Sequence, residues 1–195
     1  MTSQLTPAQH TLLWNDFRDG SPTAFARLYD LFSADLYRYG YNLVRNRQIV
    51  EDCLHELFLH LHESRARLGA TDNIRFYLYR AIRRRLLDTV GRLNKLNSNE
   101  YLFDDAEFQI QPYECALVEE QLVGQQKQLM MLELNRLPKR QKEILYLVYM
   151  KGLSYQQAAE VMDITIKSVY NTVNVALKAL QVLVRVSFEQ RGAYV

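Results

Sequence analysis

The sequence contains few of the residues that connect short β-strands. Its 195 residues include seven glycines and four prolines, which is too few for a sandwich or barrel with many turns, so long helices are favoured. Hydrophobic residues make up 48% of the chain and charged residues 24%. This composition excludes collagenous and disordered classes and allows one domain or two small ones.

Cysteines and long apolar runs are also scarce. Cys53 and Cys115 have neither a CxxC spacing nor enough partners for a disulfide framework, and we interpret both as packed thiols. The longest apolar run, residues 144–150, is far shorter than the ~20 residues of a membrane span. The N-terminus lacks a basic start followed by an apolar stretch, so no secretory signal is predicted. We therefore expect a soluble, cytoplasmic protein without membrane insertion.

Charge is distributed unevenly although its total is small. Lys and Arg number 24 and Asp and Glu 22, giving a formal net charge of +2. Residues 1–95 carry +4, residues 96–132 carry −6 and residues 133–195 carry +4. We predict two small helical domains, 1–95 and 133–195, joined by an acidic linker over 96–132. The alternative is that the linker continues one helical bundle.

The predicted fold class is all-α, because apolar residues recur every three or four positions through most of the chain. Helix starts are predicted at Ser21-Pro22, at Asp72 or Asn73, at Leu137-Pro138, at Ser154 and at Thr165. The last three helices are expected to end near Gly152, Met162 and Phe188.

Residues 152–178 have the layout of a helix-turn-helix, in which the second helix lies in the major groove of DNA. The crossing of its helices would be packed by Ala158, Ala159, Val161, Ile164 and Val169. The side chains predicted to face an upstream DNA element are Lys167, Ser168, Tyr170, Asn171, Asn174 and Lys178. With two cations this helix should bind duplex DNA weakly on its own. A hairpin of helices packed only for stability is the alternative.

A helix over residues 75–88 combines cations with aromatic side chains, and residues 75–95 hold seven cations and one acid. Guanidinium groups follow phosphates and aromatic rings stack on unpaired bases, so this mixture favours strand-separated DNA. The residues predicted to bind and melt a downstream element are Arg75, Tyr77, Arg80, Arg83 and Arg84. A solvated charged face without a ligand is the alternative.

A cluster of acidic and imidazole side chains over residues 51–63 does not fit a metal motif. His60 follows His55 by five residues, about 140° away around a helix, whereas HExxH needs both imidazoles on one face. No metal site and no cofactor are therefore predicted.

The same helix presents Asp52, Glu56 and Glu63. We predict that this acidic face, beside an apolar stripe of Leu57, Phe58 and Leu61, docks a basic partner surface. The alternative is that this face is solvated and binds no partner. No phosphate loop, GxSxG or Cys/His nucleophile pattern is present in the sequence, so no enzyme activity is predicted.

Together these segments resemble the sigma-70 family of bacterial RNA polymerase initiation factors, in its small extracytoplasmic-function (ECF) class that retains the second and fourth conserved regions. Residues 24–63 resemble the first helices of region two. Residues 77–88 are similar to the helix that melts and reads the minus-10 element, and residues 137–180 resemble region four, which reads the minus-35 element. The resemblance implies a factor that directs core RNA polymerase to promoter DNA and that an anti-sigma factor holds inactive.

The resemblance also implies roles for single residues. Asp52 and Glu56 match the acidic helix that docks on the polymerase clamp coiled coil, and Tyr77 stands where the family often has Trp. The loop over residues 69–73 falls where members of the family bind a flipped base in a pocket. The acidic linker would lie in a positively charged polymerase channel.

The sequence departs from the family at several positions. Arg84 replaces a usual Asn and Asp163 replaces the common turn Gly, a change that Asp tolerates moderately well. Tyr170, Thr172 and Val175 stand where relatives often place Lys or Arg. The upstream sequence that is read is therefore not implied by the resemblance.

Two other functional classes stay open at the level of sequence. A stand-alone helix-turn-helix regulator would use residues 1–132 for sensing or dimerisation and would bind duplex DNA tightly without polymerase. A small helical metalloenzyme would use the cluster of residues 55–63 and would carry stoichiometric zinc or iron.

Overall fold

The computed structural model describes residues 5–96, 108 and 124–192, and these residues form helices and turns without a β-strand. The predicted all-α class is confirmed. The chain divides into two compact units, Met1–Ala106 and Glu107–Val195. Within the first unit the helices are α1 (Pro7–Arg18), α2 (Pro22–Val44), α3 (Arg47–Ser64) and α4 (Ile74–Leu96), with a 3₁₀ turn at Arg65–Arg67. Within the second they are α5 (Gly124–Arg136), α6 (Lys139–Leu145), α7 (Tyr155–Met162) and α8 (Ile166–Gly192).

Short polar side chains begin the helices of the first unit. The Ser21 hydroxyl accepts from the Ala24 backbone N–H at 3.2 Å, with Pro22 in the first turn as predicted. Asn73 Oδ1 accepts from the Phe76 N–H at 3.0 Å and begins α4. Helices α2, α3 and α4 pack closely around Gly40, where a Cβ would lie 3.0 Å from side-chain carbons of Val50 and Leu86.

Helix α1 was not predicted. Its start carries a capping box, in which the Thr6 hydroxyl accepts from the Gln9 N–H and the Gln9 side chain accepts from the Thr6 N–H. The helix buries Trp14 and Phe17, each 1% exposed. The rings of these two residues lie 5.4 Å apart, so α1 completes the core of the first unit.

The second unit contains the predicted helix-turn-helix. Ser154 begins α7 through a capping box with Gln157, and the Thr165 hydroxyl accepts from the Ser168 N–H at 3.1 Å at the start of α8. Asp163 takes the left-handed conformation that ends α7, with φ 54°. Helix α6 runs into a π-helical turn at Tyr146–Met150, and Gly152 follows with φ +69°.

The predicted linker contributes to the second unit. Phe108 is fully buried, and its ring lies edge-on to Tyr146 with 5.4 Å between centroids. Helix α5 begins at Gly124, inside the segment predicted as linker, and packs against α8. The rest of the linker, including Cys115, lies outside the described residues, whereas Cys53 is buried and Thr89 is its hydrogen-bonding neighbour.

We expect acid to destabilise the first unit through His10. Burial and the nearby Arg75 lower the pKa of this imidazole, and the opposing effect of Asp72 is smaller. The unfolded chain then takes up the proton first as pH falls below about 6.5, so stability is lost on the acid side. Amide hydrogen exchange of residues 5–96 between pH 7 and pH 5 should show this loss in the wild type and a smaller one in His10→Leu. An equal loss in both proteins would contradict the assignment, and His55→Gln on the surface is the control.

Candidate nucleic-acid interface

A groove of about 950 Å³ runs along α4 beside α3. We call it the basic-aromatic groove, and its lining residues are Leu57, His60, Phe76, Tyr77, Arg80, Ala81, Arg84, Arg85, Leu87, Asp88, Gly91, Arg92 and Lys95. Three of the five residues predicted to bind the downstream element, Tyr77, Arg80 and Arg84, therefore share one concave surface.

The charge of the groove is positive. Five of its lining residues are cations and one is a carboxylate, Asp88, which lies 3.9 Å from the Arg84 guanidinium. Arg85 is held by Glu56 of α3 at 2.7 Å. Arg92 and Lys95 were not predicted to bind DNA. The signal that finds them is their spacing from Arg84, about two and three helical turns along α4.

Tyr77 packs against a residue of α1, Trp14. Its ring lies 5.2 Å from the Trp14 ring, and burial raises the pKa of its phenol. The Trp14 indole N–H donates to the Gly69 carbonyl at 2.8 Å. Trp14 thus connects α1, the loop over residues 69–73 and the aromatic side of the groove.

Arg75 and Arg83 do not line the basic-aromatic groove. Arg75 is half-buried and is close enough to His10 to affect its pKa. Arg83 is also half-buried, and it differs in this from the exposed Arg80 and Arg84. The predicted set of five therefore separates into three groove residues and two residues outside it.

The predicted acidic face lies on α3, where Asp52, Glu56 and Glu63 are exposed. Asp52 Oδ1 accepts from the Gln48 side-chain N–H at 3.0 Å. Glu56 pairs with Arg85 of α4, so part of its charge is already compensated within the unit.

The prediction that an apolar stripe beside the acidic face takes part in docking is wrong. Leu57, Phe58 and Leu61 are at most 4% exposed and belong to the core. Phe58 packs against Tyr29 of α2 with ring centroids 4.8 Å apart. The stripe is the buried face of an amphipathic helix, which has the same spacing as a docking stripe.

In the second unit, α8 turns one face to the core and the opposite face to solvent. Val169, Val173, Ala176 and Leu180 are buried. The exposed side chains Lys167, Asn171, Asn174 and Lys178, which we call the reading stripe, follow at intervals of three or four residues on the other side. Ala158 and Ala159 are buried where α7 crosses α8, as predicted.

Ser168 and Tyr170 have neighbours within the unit. The Ser168 hydroxyl lies 2.8 Å from the Thr165 hydroxyl and takes part in the helix cap. Tyr170 is 53% exposed, and its ring meets that of Tyr155 edge-on at 4.6 Å.

Over the described ranges, no group of three or more His, Cys, Asp or Glu side chains is placed to hold a metal ion. None of the helices in these ranges is long and apolar enough to cross a membrane.

Comparisons with known proteins match both units. Residues 28–95 match the family model for sigma-70 region 2, and residues 127–180 match the one for sigma-70, region 4. The chain is 25% identical over 163 residues to the ECF RNA polymerase sigma factor SigM of Bacillus subtilis (strain 168), covering 78% of this chain and 92% of the relative.

Two solved structures share the fold. RpoE of Bartonella quintana, in complex with the anti-sigma factor NepR, is 18% identical with a TM-score of 0.56, covering 83% of this chain and 97% of that one. CnrH, in complex with the cytosolic domain of CnrY, is 17% identical with a TM-score of 0.55, covering 91% and 97%.

Proposed function

This chain belongs to the ECF class of the sigma-70 family of RNA polymerase initiation factors, and from that premise we propose how its two units divide promoter recognition. The basic-aromatic groove of α4 takes the opened minus-10 DNA, and the reading stripe of α8 takes the duplex minus-35 element. The acidic face of α3 docks core polymerase. The chain itself performs no catalysis, needs no cofactor and acts in the cytoplasm with polymerase.

The observation that carries this proposal is the composition of the groove. Cations of Arg80, Arg84, Arg92 and Lys95 line the same concave surface as the rings of Phe76 and Tyr77. Cations attract the phosphates of either strand, whereas aromatic rings stack readily on the exposed faces of unpaired bases. Rings placed for stacking are typical of a protein that holds opened DNA rather than of a stand-alone duplex-binding regulator, and the match of residues 28–95 to region 2 also disfavours that alternative.

We infer two further partners or contacts. An anti-sigma factor binds this chain, as NepR binds the similar RpoE. The acidic segment before α5, residues 96–123 apart from the buried Phe108, follows a positively charged channel of polymerase, and its charge of −7 supports this.

In vitro transcription with purified core polymerase on a library of promoter sequences tests the function. We expect specific starts that depend on both the chain and the core enzyme, and weak, salt-sensitive duplex binding by the chain alone. Tight specific duplex binding without polymerase, or no specific start, would contradict the proposal.

Asp52→Lys is expected to weaken binding to core polymerase by about 10- to 100-fold, because a basic partner surface then meets a like charge. Asp52 is suited to this test since its neighbour is the neutral Gln48, whereas Glu56 also holds Arg85. Binding of single-stranded minus-10 DNA should be unchanged. The measurement is fluorescence anisotropy with labelled protein and core enzyme. Asp30→Lys on α2 is the matched control, and equal losses in both variants would overturn the assignment of the α3 face.

A further inference from the structure

An exposed apolar edge borders the reading stripe on α8. Ile166 is 44% exposed and Tyr170, four residues later, is 53% exposed. Residues four apart lie one above the other on a helix, so these two side chains are neighbours. Both stand in the first turns of α8, the part of a recognition helix that reaches base edges.

The major groove offers such an edge one apolar feature. Guanine, cytosine and adenine present hydrogen-bond donors and acceptors there, whereas thymine adds its 5-methyl group. Exposed aliphatic and aromatic carbon next to Lys167 and Asn171 therefore fits a thymine methyl better than any other base edge.

The Tyr170 ring also packs against a residue of α7. The Tyr155 ring, in the first turn of α7, meets the Tyr170 ring at 67° with 4.6 Å between centroids. The Tyr155 hydroxyl lies 3.4 Å from that of Tyr149, in the π-helical turn before α7. An edge-on aromatic contact limits the orientations of an otherwise exposed ring and lowers the entropy lost on binding.

We propose that Tyr170 recognises the 5-methyl group of a thymine in the upstream promoter element, and that Tyr155 is a positioning residue that holds the Tyr170 ring for this contact. The proposal rests on the proposed function, because it assigns sequence specificity to the same recognition helix. It assigns base discrimination, rather than affinity for phosphate, to this position of α8.

The test replaces thymine by deoxyuridine, one position at a time, in the upstream element of a promoter selected with the wild-type holoenzyme. Uracil differs from thymine by one methyl group. We expect one position at which the substitution weakens holoenzyme binding by about fourfold, the effect of burying a single methyl. In Tyr170→Ala this thymine–uracil difference should vanish.

The positioning role of Tyr155 is tested by two substitutions at this partly exposed residue. Tyr155→Ala should reduce the thymine–uracil difference below twofold, whereas Tyr155→Phe, which keeps the ring, should retain it. A purely structural role would change overall affinity in both variants without changing the difference between the two bases. If specific starts occur and no uracil substitution matters, or if Tyr155→Ala keeps the full difference, the inference is overturned while the function stands. Absence of specific starts overturns both.

Discussion

Replacing Arg80 and Arg84 together by alanine should slow open-complex formation by about 10- to 100-fold while core binding stays intact. Both guanidinium groups line the basic-aromatic groove, and both side chains are exposed. Each loses a charge-assisted contact to a phosphate of the opened strand, which contributes roughly a factor of 3 to 10 in this partly solvated setting. Permanganate reactivity of unpaired thymines measures the opening, and anisotropy measures core binding.

The matched control removes the same charge elsewhere. Arg27→Ala with Arg47→Ala deletes two exposed cations of α2 and α3 that do not line the groove. Both double variants lower the net charge by two, so a general electrostatic effect would slow them equally. The groove assignment requires opening to be slowed in the Arg80/Arg84 variant and near the wild-type rate in the control. Loss of core binding in the Arg80/Arg84 variant would mean that this face of α4 contacts polymerase instead.

Local chemistry made much of the fold predictable from the sequence. The side chains of Ser21, Ser154 and Thr165 each supply the cap predicted for them, because a hydroxyl next to a helix start satisfies an otherwise unpaired N–H wherever the helix packs. Between Asp72 and Asn73, the structure shows that Asn73 caps α4.

Features that depend on distant contacts were not predictable. Helix α1 carries its own signal, the capping box of Thr6 and Gln9, but its importance comes from the contact of Trp14 with Gly69, 55 residues away. Phe108 lies in an acidic segment whose composition indicates a linker, yet it packs against Tyr146. A short stretch of sequence around Trp14 or Phe108 does not contain the residue that each one contacts.

The same reason explains the division of the candidate DNA-binding residues. Arg75, Arg80, Arg83 and Arg84 look alike in a sequence, and helical spacing places Arg80, Arg83 and Arg84 on one broad arc. The position of α3 decides which part of that arc becomes concave, and this is a tertiary property. For Leu57, Phe58 and Leu61, the position of α2 and α4 decided that an apolar stripe is core.

Trp14→Ala is expected to reduce the stability of the first unit by about 3–5 kcal/mol, the usual cost of deleting a fully buried large aromatic side chain. It removes the contacts with Phe17 and Tyr77 and the hydrogen bond to Gly69. Because Trp14 is the single tryptophan of the sequence, its fluorescence cannot report the change. Amide hydrogen exchange can, since peptides from residues 5–96 should lose protection while those from 137–182 keep theirs.

A second substitution separates stability from function at this position. Trp14→Phe keeps most of the apolar volume and an aromatic partner for Tyr77 but has no N–H for the exposed Gly69, whose carbonyl water can then satisfy. It should therefore cost less than half as much stability as Trp14→Ala and leave core binding unchanged. Because Trp14 holds both Tyr77 and the Gly69 loop, we expect Trp14→Phe to slow promoter opening more than Leu12→Ala, a change at an exposed residue of the same helix. Equal opening rates in Trp14→Phe and Leu12→Ala would restrict Trp14 to the core.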